Sequence, residues 1–373
     1  MKEFFLKAVR KLRLQKIIYM FLTPFFGRCF KSDDEKAEKI LEDFFPYTKS
    51  TSLRKNRISE DENDLTVIIA AYNAEKYIKE CLDSVLYQKT AYRFNVTVVN
   101  DGSTDGTLNI LESYKDDKLQ IISKENGGLS SARNKALETV KSKYIMFLDA
   151  DDTLEENAVD LFLSNAYKND ADIVESGYSF FDGEHRYGGF LHSGGVYEGA
   201  LGILNGFACM KAIKSRLFEN VCFPEGFWFE DTIMTMLIFP NVKKSVTLKE
   251  KLYNYRVNQN SITSLAKTQK KSLDTFWVTK QTLDDAKTLG ICMEKEFLKQ
   301  FLRQIAVNYS RIKGLPADVR FSVFDLTQKM LFDNFKSFEN GVDGFWYKEL
   351  SKAVRCGQYK KYCLICDLNE YLS

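Results

Sequence analysis

Tyr144-Ile-Met-Phe-Leu-Asp-Ala-Asp-Asp152 opens on five apolar residues and closes on three carboxylates in four positions. The apolar run has the length and composition of a strand buried on both faces of a parallel sheet. Asp149, Asp151 and Asp152 crowd its end. Like charges so close are tolerated where a cation or a donor-rich ligand sits between them. Oxygen-only ligands suit a hard divalent ion, Mg²⁺ or Mn²⁺, shared with a phosphorylated substrate. A plainer reading uses the same residues: Asp152-Thr-Leu-Glu155 has the form of a capping box at a helix start. The stretch alone leaves both open.

Upstream, residues 65–71 read as an apolar strand, and Tyr77, Ile78, Cys81, Leu82 and Val85 recur at helical spacing over 75–86. A second strand at 96–99 precedes Ser103, a candidate cap for a helix carrying Leu108, Leu111 and Tyr114. A third strand spans 119–122 and a third helix 132–140; after the fourth strand come a helix at 159–167 and a strand at 172–178. Short apolar strands alternating with helices predict an open, mostly parallel sheet with helices on both faces. Such sheets bind ligands beyond the carboxyl ends of their strands. Polar residues gather at those ends: Tyr72-Asn73, Asp101-Gly-Ser103 and Asp149 to Asp152. Converging in one crevice, they predict a nucleotide-type site. No G-x-G-x-x-G follows the first strand and no G-x-x-x-x-G-K-[ST] occurs, so the phosphates fall to metal and carboxylates.

The 373 residues are 45% hydrophobic and 28% charged, with 29 Phe, 19 Tyr and only 5 Pro. That is a packed, helix-rich chain of one large domain with appendages, or of two domains. A net charge of +2 gives no support to nucleic-acid binding. The eight cysteines, with no secretory leader before them, read as reduced cytosolic thiols. Cys356, Cys363 and Cys366 have a zinc-like spacing without a fourth ligand, and His185 and His192 have no partner at ligand spacing. The Gly-rich loop at 183–199 that holds both histidines has the length of a lid or acceptor loop.

Residues 1–31 carry Lys2, Lys7, Arg10, Lys11, Arg13, Lys16, Arg28 and Lys31 against Glu3 alone, interleaved with Phe4, Phe5, Leu6, Val9, Leu12 and Leu14. The apolar run at 17–26, interrupted by Pro24, is far short of the roughly 20 residues of a membrane span. It predicts a basic amphipathic helix lying on an anionic membrane surface. The alternative is a helix packed on the protein with its basic face outward. Residues 32–63 turn polar and read as a linker or loosely packed collar. Beyond residue 270 the apolar spacing predicts amphipathic helices that need a partner: the preceding domain, another subunit or a membrane.

Four segments, in order and at consistent spacing, resemble family 2 glycosyltransferases of the GT-A fold. They are Val67-Ile-Ile-Ala-Ala-Tyr-Asn-Ala-Glu75, Val99-Asn-Asp-Gly-Ser-Thr-Asp-Gly106, Glu125-Asn-Gly-Gly-Leu-Ser-Ser-Ala-Arg-Asn134 and Phe147-Leu-Asp-Ala-Asp-Asp152. They cover residues 64–180. A looser continuation through 209–218, 225–231, 253–256 and Ser261-Ile262 resembles the acceptor side of bacterial capsule, exopolysaccharide and teichoic-acid sugar transferases. Where the family usually has Pro before Tyr-Asn, this chain has Ala71. The resemblance implies an α/β sheet domain at 64–265; outside it, composition and apolar spacing give a basic N-terminal segment and linker at 1–60 and a helical region at 266–373.

It also implies roles. Ala71, Tyr72, Asn73, Glu75, Asp101, Gly128, Arg133, Asp149 and Ala150 fall on the donor-nucleotide side, and Asp151 on the metal. Asp101 would accept from the uracil ring N–H, a job for an acceptor-only group, although Asp-Gly-Ser is also an ordinary turn. Arg133 would sit near ribose and diphosphate, where a permanent planar cation is apt. Asp231 matches the family's catalytic carboxylate, taking the proton of the attacking hydroxyl. Glu230 competes for that role, and general-base logic does not separate neighbours. Lys211, Trp228, Glu230 and Arg256 are candidates for diphosphate or acceptor contact. The expected protein is an inverting glycosyltransferase using Mn²⁺ or Mg²⁺ and a UDP-sugar. Its acceptor would be a glycan, lipid-linked, at the inner face of the cell membrane, with peripheral membrane contact and a possible homo-oligomer. The rivals are a nucleotidyltransferase making nucleotide-sugars and a non-catalytic assembly partner.

Overall fold

Strand β1 (Asn63–Ala71) is buried on both faces, Leu65, Val67, Ile69 and Ala71 on one and Thr66 and Ile68 on the other. Strands β2 (Phe94–Asp101), β3 (Leu119–Lys124) and β4 (Ser142–Asp149) join it in parallel, in the order β3-β2-β1-β4. The computed structural model to which they belong describes residues 9, 14–56, 58–59, 62–258, 269–338 and 342–369. Within it the chain forms two compact units, Ser50–Gln259 and Met1–Lys49 with Asn260–Ser373.

The sheet of the first unit continues through β5 (Thr153–Leu154), β6 (Ile173–Phe181), β7 (Arg186–Phe190), β8 (Gly195–Glu198), β9 (Lys211–Lys214) and β10 (Lys244–Arg256). Beyond β4 the order is β9-β6-β10-β5, with β7 paired to β6 and β8 to β10. The expected mostly parallel sheet flanked by helices is what forms. The long β6–β10 ladder is parallel, and the antiparallel pairings are contributed by the short β5, β7, β8 and β9. Those short strands lack a run of apolar residues long enough to announce them. Helices Ile78–Leu86 and Ala158–Asn169 bury Ile78, Cys81, Leu82, Val85, Val159, Phe162, Leu163 and Ala166 in one core with Tyr144, Met146 and Leu148. Helix Leu129–Leu137 packs on β1 and β2.

Three local expectations change. Ser103 caps no helix: the helix begins at Thr107 behind Gly106, and the Ser103 hydroxyl accepts from the Asn73 amide instead. Asp152 is no capping box either, because Thr153 and Leu154 form β5 and the next helix starts at Ala158. Residues 32–63 are more than a linker. Helix Asp34–Phe44 starts there, the Asp33 carboxylate accepting from the Lys36 amide at 3.2 Å, with Ala37 and Leu41 buried.

That helix belongs to the other unit, where it packs along Ala317–Phe335. Helices Asp274–Thr288, Lys295–Ile312, Phe345–Arg355 and Tyr359–Leu368 complete the unit around buried Trp277, Phe276, Phe297 and Phe301. The Trp277 indole donates to the Phe45 carbonyl at 3.1 Å. Among the described residues no helix is long and apolar enough to cross a membrane. None of the eight cysteines forms a disulfide among the described residues.

Candidate active site at the strand ends

The loops that follow β1 and β2 are stitched together. The Asn73 amide donates to Ser103 Oγ at 3.0 Å, the Thr104 amide to Asn73 Oδ1 at 2.8 Å and the Gly106 amide to Glu75 Oε2 at 3.0 Å. Asn73 sits in the left-handed region at φ 49°, a conformation Asn tolerates better than most residues. Ala71 is buried beneath, and Tyr72 stands out, 53% exposed. A ring held outward beside fixed backbone is a surface on which a planar base can lie.

Asp101, at the end of β2, is buried and accepts from three donors. Its carboxylate receives Lys124 Nζ at 2.7 Å, the Gly127 amide at 3.0 Å and the Gly128 amide at 2.7 Å. Gly128 has φ 85° and ψ 172°, a region open essentially to glycine alone. In this arrangement the carboxylate holds the turn before helix Leu129–Leu137.

Asp149, Ala150, Asp151 and Asp152 follow β4. The Tyr253 hydroxyl of β10 donates to Asp152 Oδ2 at 2.6 Å and accepts from the Asp149 amide at 3.3 Å. The Arg256 amide donates to Asp152 Oδ1 at 2.7 Å, while its Nε reaches the Asp151 carbonyl at 2.7 Å. The guanidinium of Arg256 lies over Tyr77 and Phe181 and pairs with Glu80. Thus Arg256 does reach the acidic turn, gripping its backbone. Burial, then the charge of Asp149, raises the pKa of Asp151; burial, then Asp149 and Asp151, raises that of Asp152.

Among the described residues no three His, Cys, Asp or Glu side chains are arranged to enclose a metal by themselves. The acidic turn nevertheless fits a shared cation. Asp152 is consumed by Tyr253 and Arg256, and one oxygen of Asp149, Oδ1, by Arg133. Asp151, whose side chain bonds to Asn258, forms no ion pair among the described residues and carries a proton affinity that a nearby cation would relieve. One carboxylate completed by diphosphate oxygens is how Mg²⁺ is commonly held.

The centre of the site is Arg133. From helix Leu129–Leu137 its Nη1 reaches Glu230 Oε1 at 2.8 Å and Asp231 Oδ1 at 3.2 Å, and its Nη2 reaches Asp149 Oδ1 at 2.9 Å. The guanidinium is 5.5 Å from the Phe147 ring and 5.1 Å from the Phe223 ring. Burial works against its charge, but Asp149, Asp231 and Glu230 outweigh burial and raise its pKa. One buried cation therefore gathers the donor-side Asp149 with both candidates for general base.

Burial, reinforced by Asp231 and opposed by Arg133, pushes Glu230 up to about 7. Burial also raises Asp231, with Arg133 opposing and Asp149 adding to the shift. The side chain of Asp231 is 27% exposed and that of Glu230 only 8%. Just before them Phe229 has φ 65°, and its carbonyl accepts from the Thr232 amide and hydroxyl. A non-glycine residue in that region stores local strain, a recurrent property of functional turns. Trp228 is half-buried, edge-on to Phe229 at 6.3 Å.

Lys211 is not brought to these groups' surface. Its side chain has no exposed area, and its Nζ is spent on Glu175 at 2.8 Å, Asn205 Oδ1 at 2.8 Å and the Phe207 carbonyl at 2.7 Å. Ser261-Ile262 lies outside the described residues. His192, left unassigned by its sequence context, completes the Lys211 cluster by contacting Glu175 at 2.6 Å.

Four supporting residues gave no local signal of their roles. Tyr253 and the Phe147–Phe223 pair look like ordinary core. Asn134 holds the segment before the base: its amide nitrogen donates to the Phe223 carbonyl and its oxygen accepts from the Phe223 amide, both at 2.8 Å. Phe147 and Asn134 stood inside motifs and Tyr253 opened the looser 253–256 segment, none of them with a sign of this supporting role.

The family model described as glycosyl transferase family 2 matches residues 66–222. Glycosyltransferase GlyA of Streptococcus pneumoniae is 28% identical over 291 residues, covering 72% of this chain and 41% of that protein. The minor teichoic acid biosynthesis protein GgaB of Bacillus subtilis is 30% identical over 214 residues, covering 54% of this chain and 24% of its own. This chain thus spans less than half of either relative. The crystal structure of residues 1–349 of S. aureus TarS in complex with UDP-GlcNAc superposes with a TM-score of 0.64 at 18% identity, covering 81% of this chain and 90% of that one. At that identity the likeness is one of fold.

Proposed function

Residues 66–222 are a family 2 glycosyltransferase domain with a GT-A fold, and from that premise we propose that this chain is an inverting, metal-dependent glycosyltransferase. It transfers a sugar from a UDP-sugar to a hydroxyl of a cell-surface glycan acceptor. The observation that carries this reading is the Arg133 bridge, which brings Asp149, Glu230 and Asp231 together beside Asp151. The part GgaB takes in minor teichoic acid biosynthesis supports the acceptor class, and the UDP-GlcNAc complex of TarS supports the donor class. A lipid-linked acceptor at the inner face of the cell membrane extends the same reading.

The chain's residues divide the work. Tyr72 takes a face of the base, and the stitched loops at Asn73 and Glu75 fix it. Asp149 takes the ribose, and Asp151 is the protein ligand of a Mn²⁺ or Mg²⁺ ion. When bound, that ion supplies positive charge to the diphosphate as negative charge accumulates on it. Asp231 accepts the proton of the acceptor hydroxyl while that oxygen bonds to the anomeric carbon opposite the departing UDP. Its greater exposure favours Asp231 over Glu230 for contact with an acceptor, and its raised pKa suits a base working near neutrality. Glu230, buried against Arg133, positions that cation.

The test is hydrolysis of a panel of UDP-sugars by purified protein with Mn²⁺, compared with Asp151→Ala and Asp231→Asn. Slow turnover of one donor by wild type, lost in Asp151→Ala, and transfer to acceptor reduced about 10²–10⁴-fold in Asp231→Asn are the expected results. If no sugar nucleotide is bound or turned over with any divalent metal, the enzyme reading falls and a non-catalytic assembly role replaces it.

A further inference from the structure

Helix Gln15–Leu22 reads Gln-Lys-Ile-Ile-Tyr-Met-Phe-Leu, so it has no polar face to turn to water beyond Gln15 and Lys16. A helix apolar on all sides belongs in a core or against a lipid phase. This one is anchored by a single side. Tyr19 is 3% exposed, edge-on to Phe345 at 5.7 Å and Trp346 at 5.3 Å, and its hydroxyl donates to Glu349. Lys361 completes the socket, 5.6 Å from the Tyr19 ring and 2.9 Å from the Glu349 carboxylate.

At about 100° per residue, positions 17 and 21 lie opposite Tyr19 and position 20 stands on their flank. Ile17 is 65% exposed, Met20 69%, Phe21 75%, and Phe25, on the 3₁₀ turn Thr23–Phe26 that Pro24 opens, 74%. Single exposed apolar residues are ordinary, but adjoining ones on one helix face mark a contact surface. Exposed Lys16, whose Nζ lies 5.0 Å over the Phe345 ring, and exposed Arg28 and Lys31 flank it in sequence, in a stretch of 31 residues with eight Lys and Arg against Glu3. Positive charge around an apolar face complements an anionic bilayer, whose headgroups attract the cations while the acyl boundary takes the side chains.

We infer that this face seats the helical unit on an anionic lipid surface, with Ile17, Met20, Phe21 and Phe25 as the inserting side chains and Lys16, Arg28 and Lys31 at the headgroups. Tyr19 and its socket transmit the attachment to helices Phe345–Arg355 and Tyr359–Leu368. This inference stands apart from the transferase reading, since none of these residues belongs to the acidic site.

The experiment is cosedimentation of the full chain with vesicles of phosphatidylglycerol and phosphatidylethanolamine, against vesicles of phosphatidylcholine alone. Wild type binds the anionic vesicles, more weakly as salt rises. The double variant Phe21→Glu/Phe25→Glu lowers the partition coefficient at least tenfold, with an unchanged thermal midpoint because both side chains are exposed. Lys16→Glu/Arg28→Glu lowers binding to anionic vesicles only. Wild type that ignores anionic vesicles at low salt overturns the inference, as does a double variant that still binds. So does a concentration-dependent wild-type dimer, dissociated by Phe21→Glu/Phe25→Glu, in protein that binds no vesicle: a second copy then covers the face. UDP-sugar hydrolysis in the same preparations reads the other proposal separately, and the Phe21→Glu/Phe25→Glu protein keeps it.

Discussion

Arg133 places one positive charge against the carboxylates of Asp149, Glu230 and Asp231 in a buried setting, where a charge without its partner is expensive. Replacement by Met keeps most of the volume between Phe147 and Phe223 and leaves three acids facing one another. Arg133→Met therefore destabilises the fold by about 3–5 kcal/mol near neutral pH. The sign of its pH dependence follows from the carboxylates. Burial already lifts Glu230 to about 7 and raises Asp231, and Arg133 opposes both shifts. Without the arginine both pKa values rise further. A group with a raised folded-state pKa contributes its stability below the unfolded value and loses it as pH rises through the folded one. The deficit of Arg133→Met is thus smaller at pH 5.5 than at pH 8 by urea unfolding, and the acid limb of any residual turnover moves to higher pH. A deficit independent of pH means that the three carboxylates do not sense this guanidinium.

Strand β10 is the element that joins the acidic turn to the rest of the sheet. Its parallel ladder with β6 brings Tyr253 and Arg256 under Asp149, Asp151 and Asp152, and β5 folds the turn back onto it. Removing one hydroxyl tests that support. Tyr253→Phe leaves the ring packed but strips a donor from a buried carboxylate, which costs about 1–3 kcal/mol by urea unfolding. Because the same hydroxyl also accepts from the Asp149 amide, the UDP-sugar KM rises in this variant. Loss of stability with an unchanged KM limits Tyr253 to a structural role. On the opposite flank, helix Leu129–Leu137 depends on a glycine. An alanine at Gly128 meets no atom within 4 Å, so Gly128→Ala isolates the backbone term, about 1–3 kcal/mol for that region of φ and ψ.

The whole chain carries two cores, one around the sheet in Ser50–Gln259 and one around Trp277, Phe276 and Phe301 in Met1–Lys49 with Asn260–Ser373. Two cores give two cooperative units, for which a single two-state transition is the wrong description. Calorimetry is expected to show a van't Hoff enthalpy below the calorimetric enthalpy. A ligand stabilises only the unit that binds it, by about 2.7 kcal/mol at a hundredfold excess over Kd. UDP with Mn²⁺ should therefore raise one transition and leave the other in place, and Asp151→Ala should abolish the shift. One transition that moves as a whole means that the units unfold together.

Periodicity and motif were enough, by themselves, to point to the alternating strands and helices, a mostly parallel sheet, the acidic strand end and the family resemblance. Those features are local: an apolar run, a turn residue or a carboxylate pair declares itself within a few neighbours. The assembly of Arg133 with Asp149, Glu230 and Asp231 joins positions nearly a hundred residues apart, and only tertiary packing decides that the arginine faces acids. Lys211 shows the same limit, since a buried and a solvated lysine look alike until Glu175 and Asn205 are placed around it. The polar stretch after residue 32 is read as linker because its helix buries little beyond Ala37 and Leu41, against a surface supplied by Ala317–Phe335. Burial is a property of what arrives from elsewhere in the chain. Strand, turn and motif are written locally, whereas partnership is decided by the fold.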